Sequence, residues 1–344
     1  VHAIWFVILG AMLTTYAVLD GFDFGAGIVH LFVARTDAER RTVLSAIGPL
    51  WDGNEVWLIA AGGALVFAFP RAYGAAFSGL YLALNLVLWL LVLRGISIEF
   101  RSKVEHPLWR AAWDTVFAGS SGTMAVVLGV ALANVMRGVP LDASGYFHED
   151  LFSGMHADHP GAIDPYTAVF GVFGLATFGA HGATFLAWKT EGELGARCRS
   201  AGRSLWWGTM CLLVGELLLT VWVHPRFFDR VCARPWLWPF PLVALGAGVY
   251  ALRALGAGRD LRAFLASCGF ILALLGATAA AMFPVILQST IDDASSLDVD
   301  NASSSRAGQG IGLAVLLPAI ALAVGYFVHL FRSFRGKAEA THHY

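Results

Sequence analysis

The amino-acid sequence predicts an all-α polytopic membrane protein of about nine transmembrane helices, and three observations carry that expectation. Hydrophobic residues make up 57% of the chain and charged residues only 14%, with a mean hydropathy of +0.65. A soluble fold of 344 residues could not bury that much apolar surface. The 23 Lys and Arg and 24 Asp and Glu gather in short clusters. Between them lie apolar runs of roughly 20 residues, the length that crosses about 30 Å of hydrocarbon. Runs such as Leu80 to Leu93 and Phe270 to Phe283 are apolar on every side, whereas a transmembrane β-barrel needs segments of about ten residues alternating in polarity.

Apolar runs between charged clusters place spans near 3–33, 43–69, 75–94, 113–135, 166–188, 204–223, 238–256, 262–284 and 311–331, within a single integral membrane domain over 1–344. The first two exceed the thickness of a bilayer, which tilt or extension past the headgroups accommodates. Val1 to Leu19 lacks a basic start and a clear small-residue cleavage site, so it reads as the first span and not as a signal peptide. With alternate connections assigned to opposite sides, one side holds 17 of the 23 Lys and Arg and the other holds six. The positive-inside rule then puts the N-terminus outside and the C-terminus in the cytoplasm.

The two long outside connections, about 136–165 and 285–310, are acidic and rich in Gly, Ser, Asp and His, as water-exposed loops are. Trp5, Trp109, Trp113, Trp188, Trp206, Trp207, Trp236 and Trp238 fall near expected span ends, where indole rings anchor at the headgroups. Cys198, Cys211, Cys232 and Cys268 are scattered without a CxxC pair and read as packing residues. A net charge of −1 argues against a nucleic-acid partner. No phosphate-binding glycine loop, dinucleotide fingerprint or nucleophile elbow is present.

The chemistry concentrates in the first two spans. Asp20 and Asp23 are three residues apart, as are Asp52 and Glu55, so each pair shares a helix face. Counting 1.5 Å per residue from the inner ends puts Asp23 at about 16 Å, Asp20 at about 21 Å, Asp52 at about 14 Å and Glu55 at about 18 Å. A charged group at such depth costs roughly 2.5–3.5 kcal/mol or more and must be paired, solvated or neutralised. Neither helix carries Lys or Arg at that level, so four crowded carboxyls have to hold or pass protons. The alternative is structural, with each carboxyl capping backbone opened at Gly21, Gly25 or Gly53.

Other intramembrane polar groups stand alone. His181, within Phe178-Gly-Ala-His-Gly-Ala, reads as a hydrogen-bonded packing residue, with an axial haem ligand as the alternative. Glu216 either joins the acid group or bonds across a helix interface. His30 and His329 lie nearer the inner surface. His148, His156 and His159, with Asp150 and Asp158, are irregularly spaced, as a solvated loop would be, although a loose metal site is conceivable.

Two motifs resemble subunit II of the bacterial cytochrome bd quinol oxidases: Asp20-Gly-Phe-Asp-Phe-Gly-Ala-Gly27 and Gly48-Pro-Leu-Trp-Asp-Gly-Asn-Glu-Val-Trp-Leu58. The second supplies Trp51, Gly53, Asn54 and Trp57 around the two acids. Further matches follow in order, among them Ala60-Ala-Gly-Gly-Ala-Leu65, Phe100-Arg-Ser-Lys103, Trp113-Asp114, Gly138-Val-Pro140, Lys189-Thr-Glu-Gly192 and Ala281-Met-Phe-Pro284. The likeness is densest over 20–115 and thins in the outside loops and near the C-terminus.

The resemblance implies nine helices in two four-helix bundles plus one peripheral helix. It implies a heterodimer with subunit I in the bacterial cytoplasmic (inner) membrane, oxidising quinol and reducing O2 to water. Proton motive force would arise without pumping. Two b-type haems and one d-type haem belong to subunit I in that family, and none is expected on this chain. Quinone, lipid and small accessory membrane subunits are further expected associates. Joined to the acid pattern, the resemblance gives Asp20, Asp23, Asp52 and Glu55 the role of supplying cytoplasmic protons. A proton-coupled secondary transporter is the other functional class, because mid-membrane carboxylates on Gly-containing helices also bind ions.

Overall fold

The computed structural model describes residues 1–147, 150–154 and 161–340, and the side chains of these apart from residues 225 and 226. His148, His156, Asp158 and His159 lie outside the described residues.

The chain opens with α1 (His2–Val33), a single uninterrupted helix that holds Gly21 and Gly25 in its ladder. Extended backbone at Ala34 ends it. Thr36 then starts α2 (Asp37–Ile47) through a reciprocal capping box with Glu39. A turn over 48–50 separates α2 from α3 (Trp51–Ala68). Pro49 in that turn has no N–H for a helix ladder, so the expected second span of 43–69 is two helices. Phe69 and Leu80 bracket α4 (Pro70–Gly79), and α5 (Tyr81–Phe100) follows. Next come α6 (Pro107–Arg137), α7 (Pro165–Lys189), α8 (Gly192–Val223), the short α9 (Pro225–Cys232), α10 (Pro239–Gly256) and α11 (Asp260–Met282). Strands β1 (Val285–Leu287) and β2 (Leu297–Asp298) pair antiparallel before α12 (Arg306–Ser333).

Among the described residues, eight helices are long and apolar enough to cross a membrane: α1, α5 extended to Lys103, α6, α7, α8, α10 extended back to Pro235, α11 and α12. The helix α3, with Asp52 and Glu55 in its first turns, is not among the eight. One boundary has consequences. Arg94, expected at the inner end of the third span, is 1% exposed in the interior of α5, which runs on to Phe100.

At the centre stands α7, with 78% of its most apolar stretch buried. It packs against α1, α6, α8 and α11, while α1 also packs against α3, α6 and α11. In contrast, the apolar stretch of α12 is wholly unburied. The crossing of α1 and α7 is backbone on backbone. A Cβ at Gly25 would lie 1.9 Å from the Phe178 carbonyl oxygen, and one at Gly182 would lie 2.1 Å from the Gly25 carbonyl carbon. Small residues at such a crossing allow the dispersion contact and close approach that hold helices together in lipid.

Two of the tryptophans expected at the headgroups are core residues instead. Trp5 is 2% exposed and donates to the Gln309 carbonyl (3.2 Å), and Trp206 is fully buried and donates to Thr184 Oγ1 (3.0 Å). Trp207, Trp236 and Trp238 are well exposed. Of the cysteines, Cys198 is buried and Cys268 partly so, whereas Cys211 and Cys232 are exposed. The two long loops are tied together rather than splayed. Val139 N–H donates to the Gln288 carbonyl, Thr290 N–H donates to the Val139 carbonyl, and Ser289 Oγ donates to the Leu141 carbonyl (2.6 Å).

Two predictions follow from this packing. Gly25→Val or Gly182→Val forces α1 and α7 apart and should destabilise by at least the ~1–3 kcal/mol typical of overpacking; the yield of assembled protein should collapse. Gly62→Ala, where nothing lies within 4 Å of the added carbon, is the tolerated control.

The second concerns Glu39, which accepts from the Arg35 and Thr36 N–H groups and from Arg197. Partial burial pushes its pKa up, but the Arg35 N–H, the Arg197 guanidinium and the Thr36 N–H outweigh it and hold the carboxyl below the usual glutamate range. Its folded-state pKa being depressed, the contribution is present above the unfolded glutamate pKa of about 4.3 and is lost as pH falls through the lower folded value. Hydrogen exchange over residues 35–47 should accelerate in that acid window, and Glu39→Gln should remove the acid-sensitive component.

Candidate functional site

Three of the four expected carboxyls meet in the interior, and two of them are bridged by a cation that neither of their helices supplies. Arg94 reaches from α5 and donates through Nη1 to Asp20 Oδ1 (2.6 Å) and through Nη2 to Glu55 Oε1. Its guanidinium lies 4.3 Å above the Phe24 ring. Asp20 and Asp23 are fully buried, and Glu55 retains 20% side-chain exposure. Asn54, buried on α3, donates through Nδ2 to Asp23 Oδ2 (2.8 Å) and to the Leu19 carbonyl (3.1 Å). The carboxyls thus bond to side chains of neighbouring helices, and α1 and α3 remain unbroken at Gly21, Gly25 and Gly53.

Asp52 is on a different face. It is exposed, and with Val56, Ile59 and Val66 it forms the outward stripe of α3. The rest of the motif has packing roles. Trp51 abuts Gly95, Gly53 leaves room for Phe327 of α12, and Trp57 is buried with its ring 5.8 Å from that of Phe327.

Tyr16 lies beside Asp20 within this group, and Asn54 Oδ1, Trp57 Nε1 and Arg94 Nε are buried without a hydrogen-bond partner among the described residues. Buried polar atoms normally find a partner, so this concentration sets the group apart from the apolar packing around it.

A second ionic cluster lies toward the end of α1. Asp114 on α6 accepts from His30 Nε2 (2.7 Å), Arg40 Nη1 (2.8 Å) and Arg101 Nε (2.5 Å). Arg101 also donates to Asp37 Oδ1 (2.9 Å), and Arg110 donates to Asp37 Oδ2 (3.0 Å). These groups knit α1, α2, α6 and the end of α5 together around a cavity of about 340 Å³ lined by Arg35, Asp37, Arg40, Arg101, Glu105, Arg110 and Asp114.

From this cavity a polar line runs inward along one face of α1. It passes His30, then Ser121 Oγ, which fills the space beside Gly27, then Asp23 and Asp20. His30 Nδ1 and Ser121 Oγ are also buried without partners. The seven residues from His30 to Asp23 span about 10 Å of helix.

Sequence reasoning found Asp20, Asp23, Asn54 and Glu55 but missed Arg94, His30, Arg101 and Asp114 as one system. The signal available was the count of isolated charges inside apolar helices. Asp114 is the only acid of α6, and Arg94 stands in an apolar run.

The remaining candidates lie elsewhere. His181 faces the Val18 carbonyl through Nε2 (2.9 Å) and Ser267 Oγ through Nδ1 (2.7 Å), and it stacks on Phe264. A carbonyl only accepts, so Nε2 carries the proton; the Ser267 hydroxyl that faces Nδ1 also donates to the Phe264 carbonyl (2.6 Å). Both nitrogens are committed, and His181 is a hydrogen-bonded packing residue that does not suit an axial ligand. Glu216 is buried near the α8 terminus beside Thr220 and Tyr166, away from the acid–arginine group, with Oε1 unpartnered. No group of three or more metal-capable side chains occurs among the described residues.

The fold and site define a multi-pass helical membrane protein whose charged residues are gathered into buried networks. The model of the family described as cytochrome bd terminal oxidase subunit II matches residues 1–334, and the chain belongs to that family.

Among its relatives, cytochrome bd-I ubiquinol oxidase subunit 2 of Escherichia coli strain K12 is 34% identical over 88% of this chain and 86% of its own length. The corresponding subunit 2 of Bacillus subtilis is 30% identical over the same shares. A probable cytochrome oxidase subunit 2 of Haemophilus influenzae is 29% identical over 98% of this chain and 95% of its own. The solved bd oxidase from Geobacillus thermodenitrificans shares the fold, with a TM-score of 0.77 at 17% identity over 97% of this chain and 98% of that one.

The protein is therefore a subunit of a respiratory quinol oxidase, an oxidoreductase complex of the bacterial membrane in which a subunit II implies a subunit I. That membership decides between the two functional classes open to the sequence, and the transporter reading falls away.

The Arg94 pairing yields a prediction. Arg94→Leu leaves Asp20 and Glu55 without their cation, and breaking a buried pair in this way should destabilise by about 3–5 kcal/mol. Thermal unfolding of the purified complex measures the loss, and Arg94→Lys, which keeps the charge but not the fork, should recover part of it.

Proposed function

We propose that this chain is the haem-free subunit II of the oxidase and that its acid–arginine group supplies cytoplasmic protons for O2 reduction in subunit I. The observation that carries the reading is the buried polar line from the 340 Å³ cavity past His30 and Ser121 to Asp23, Asp20 and Glu55. The chain's N-terminus is outside and its C-terminus cytoplasmic, by the distribution of Lys and Arg. The cavity then opens to the cytoplasm, where Asp37 and Glu105 on its lining meet bulk water.

At the inner end of the line, Arg94 offsets one of the carboxylate charges. One guanidinium facing three carboxyls leaves room for protons to be held among them. Asp52, on the exposed stripe of α3, is the hand-over point, placed where subunit I covers that stripe. The b-type and d-type haems reside in subunit I and supply the electron chemistry; the residues of this chain hold and move protons. The nine-span arrangement, two four-helix bundles and a peripheral α12, belongs to the same reading, with α3 as the short ninth span.

Purification of the tagged chain from its membrane should bring down a larger partner and chlorin and b-haem absorption bands; a colourless chain without a partner in good yield would refute the assignment. Within that complex, Asp23→Asn and Asp52→Asn should each lower quinol:O2 turnover about tenfold or more, the scale for removing a positioned proton donor, while the haem spectrum and complex yield stay intact. Full turnover in both variants would leave the acids a purely structural role.

A further inference from the structure

We infer that the groove between α8 and α10, at the end of the bundle where the C-terminal tail docks, is a binding site for the phosphate headgroup of an anionic phospholipid. A cavity of about 430 Å³ opens there, lined by Arg199, Ser200, Arg203, Ser204, Trp207 and Leu255. Arg199, Arg203 and Trp207 succeed one another at intervals of four along α8, and Ser200 and Ser204 stand beside them, so cations, hydroxyls and indole share one helix face.

Arg199 is fixed from behind by Asp260 Oδ2 (2.9 Å), at the start of α11. Arg203 is exposed, has no acidic partner among the described residues, and has its guanidinium 3.9 Å from where a Cβ on Gly256 would lie. The neighbouring turn adds Arg253, Arg259 and Arg262, all exposed, against the single acid Asp260. A free guanidinium fork with adjacent hydroxyl donors matches phosphate oxygens.

The occupant follows from what surrounds this charge. Trp207, 61% exposed, stands one turn farther along α8. Beyond it the outer face of α8 continues through Val214, Leu218 and Val221, and that of α10 through Leu245 and Val249, all exposed and apolar. A ring at the headgroup level with apolar surface on one side and arginines on the other is the profile of a lipid site. A soluble phosphate would use the arginines and leave the apolar groove unused. Acyl chains in the groove and a headgroup on Arg203 use both.

The test is native mass spectrometry of the detergent-purified oxidase complex, titrated separately with phosphatidylglycerol and with phosphatidylcholine of the same acyl chains. One phosphatidylglycerol should be retained at concentrations where phosphatidylcholine is not. Arg203→Gln should weaken that retention about fivefold, the scale for one basic residue at an anionic surface, with Arg203→Lys intermediate and the exposed Arg332→Gln unchanged. Equal retention of the two lipids, or unchanged retention in Arg203→Gln, overturns the inference. Displacement of the lipid by millimolar inorganic phosphate would also overturn it, by showing a small-anion site. Arg203 is exposed and carries no internal contact to an acid, so the variant's thermal stability should equal that of the parent.

Discussion

The architecture depends on one constraint: ionised groups inside hydrocarbon must be matched where they stand, because no water is there to solvate them. Arg94 is the residue through which the chain meets it. Buried on α5, it bonds Asp20 of α1 and Glu55 of α3, so one guanidinium fixes three helices that are far apart in sequence. Its planar fork suits two carboxylates at once. The glycine crossing of α1 on α7 supplies the complementary element, with close backbone contact behind the face that carries the acids. Charge pairing on one side of α1 and small-residue packing on the other hold that helix in a single rotation, and all else in the site is measured from it.

The same constraint organises the polar groups by depth. Near the end of α1 the ions are many and largely paired: Asp114 with three donors, and Asp37 with Arg101, Arg41 and Arg110. Deeper in, the groups thin to Ser121, Asp23 and Asp20, each fully buried. A densely paired cluster anchored to several helices thus gives way to a sparse line of buried polar groups.

Much of the site was legible in the sequence. Asp20, Asp23, Asp52 and Glu55 were visible because charged groups in an apolar run demand a reason, and their spacing of three placed each pair on one face, while Asn54 entered only through the motif it shares with the family. Asp52 shows where that reasoning stops. It shares a helix and an interval with Glu55, yet it is exposed while Glu55 turns to Arg94. Residues three apart differ by about 60° around a helix axis, enough for one to face the interior and the other to face out. Trp5 and Trp206 make the same point, since proximity to a span end does not say whether an indole points to headgroups or to the core.

By itself the sequence determined that this is a helical membrane protein, which segments are apolar enough to lie in the bilayer, and, through the Asp20–Gly27 and Gly48–Leu58 motifs, its family. These are properties of composition and local order, and they need no knowledge of which helix lies beside which. Only the tertiary structure decided that Arg94 answers the acids, that the expected second span breaks at 48–50 into α2 and α3, and that His30, Arg40, Arg101 and Asp114 form one network. The Arg94 pairings and the Asp114 network depend on contacts between residues 13 to 84 positions apart. In a helical protein the periodicity that reveals a face carries no record of the neighbour that face will meet.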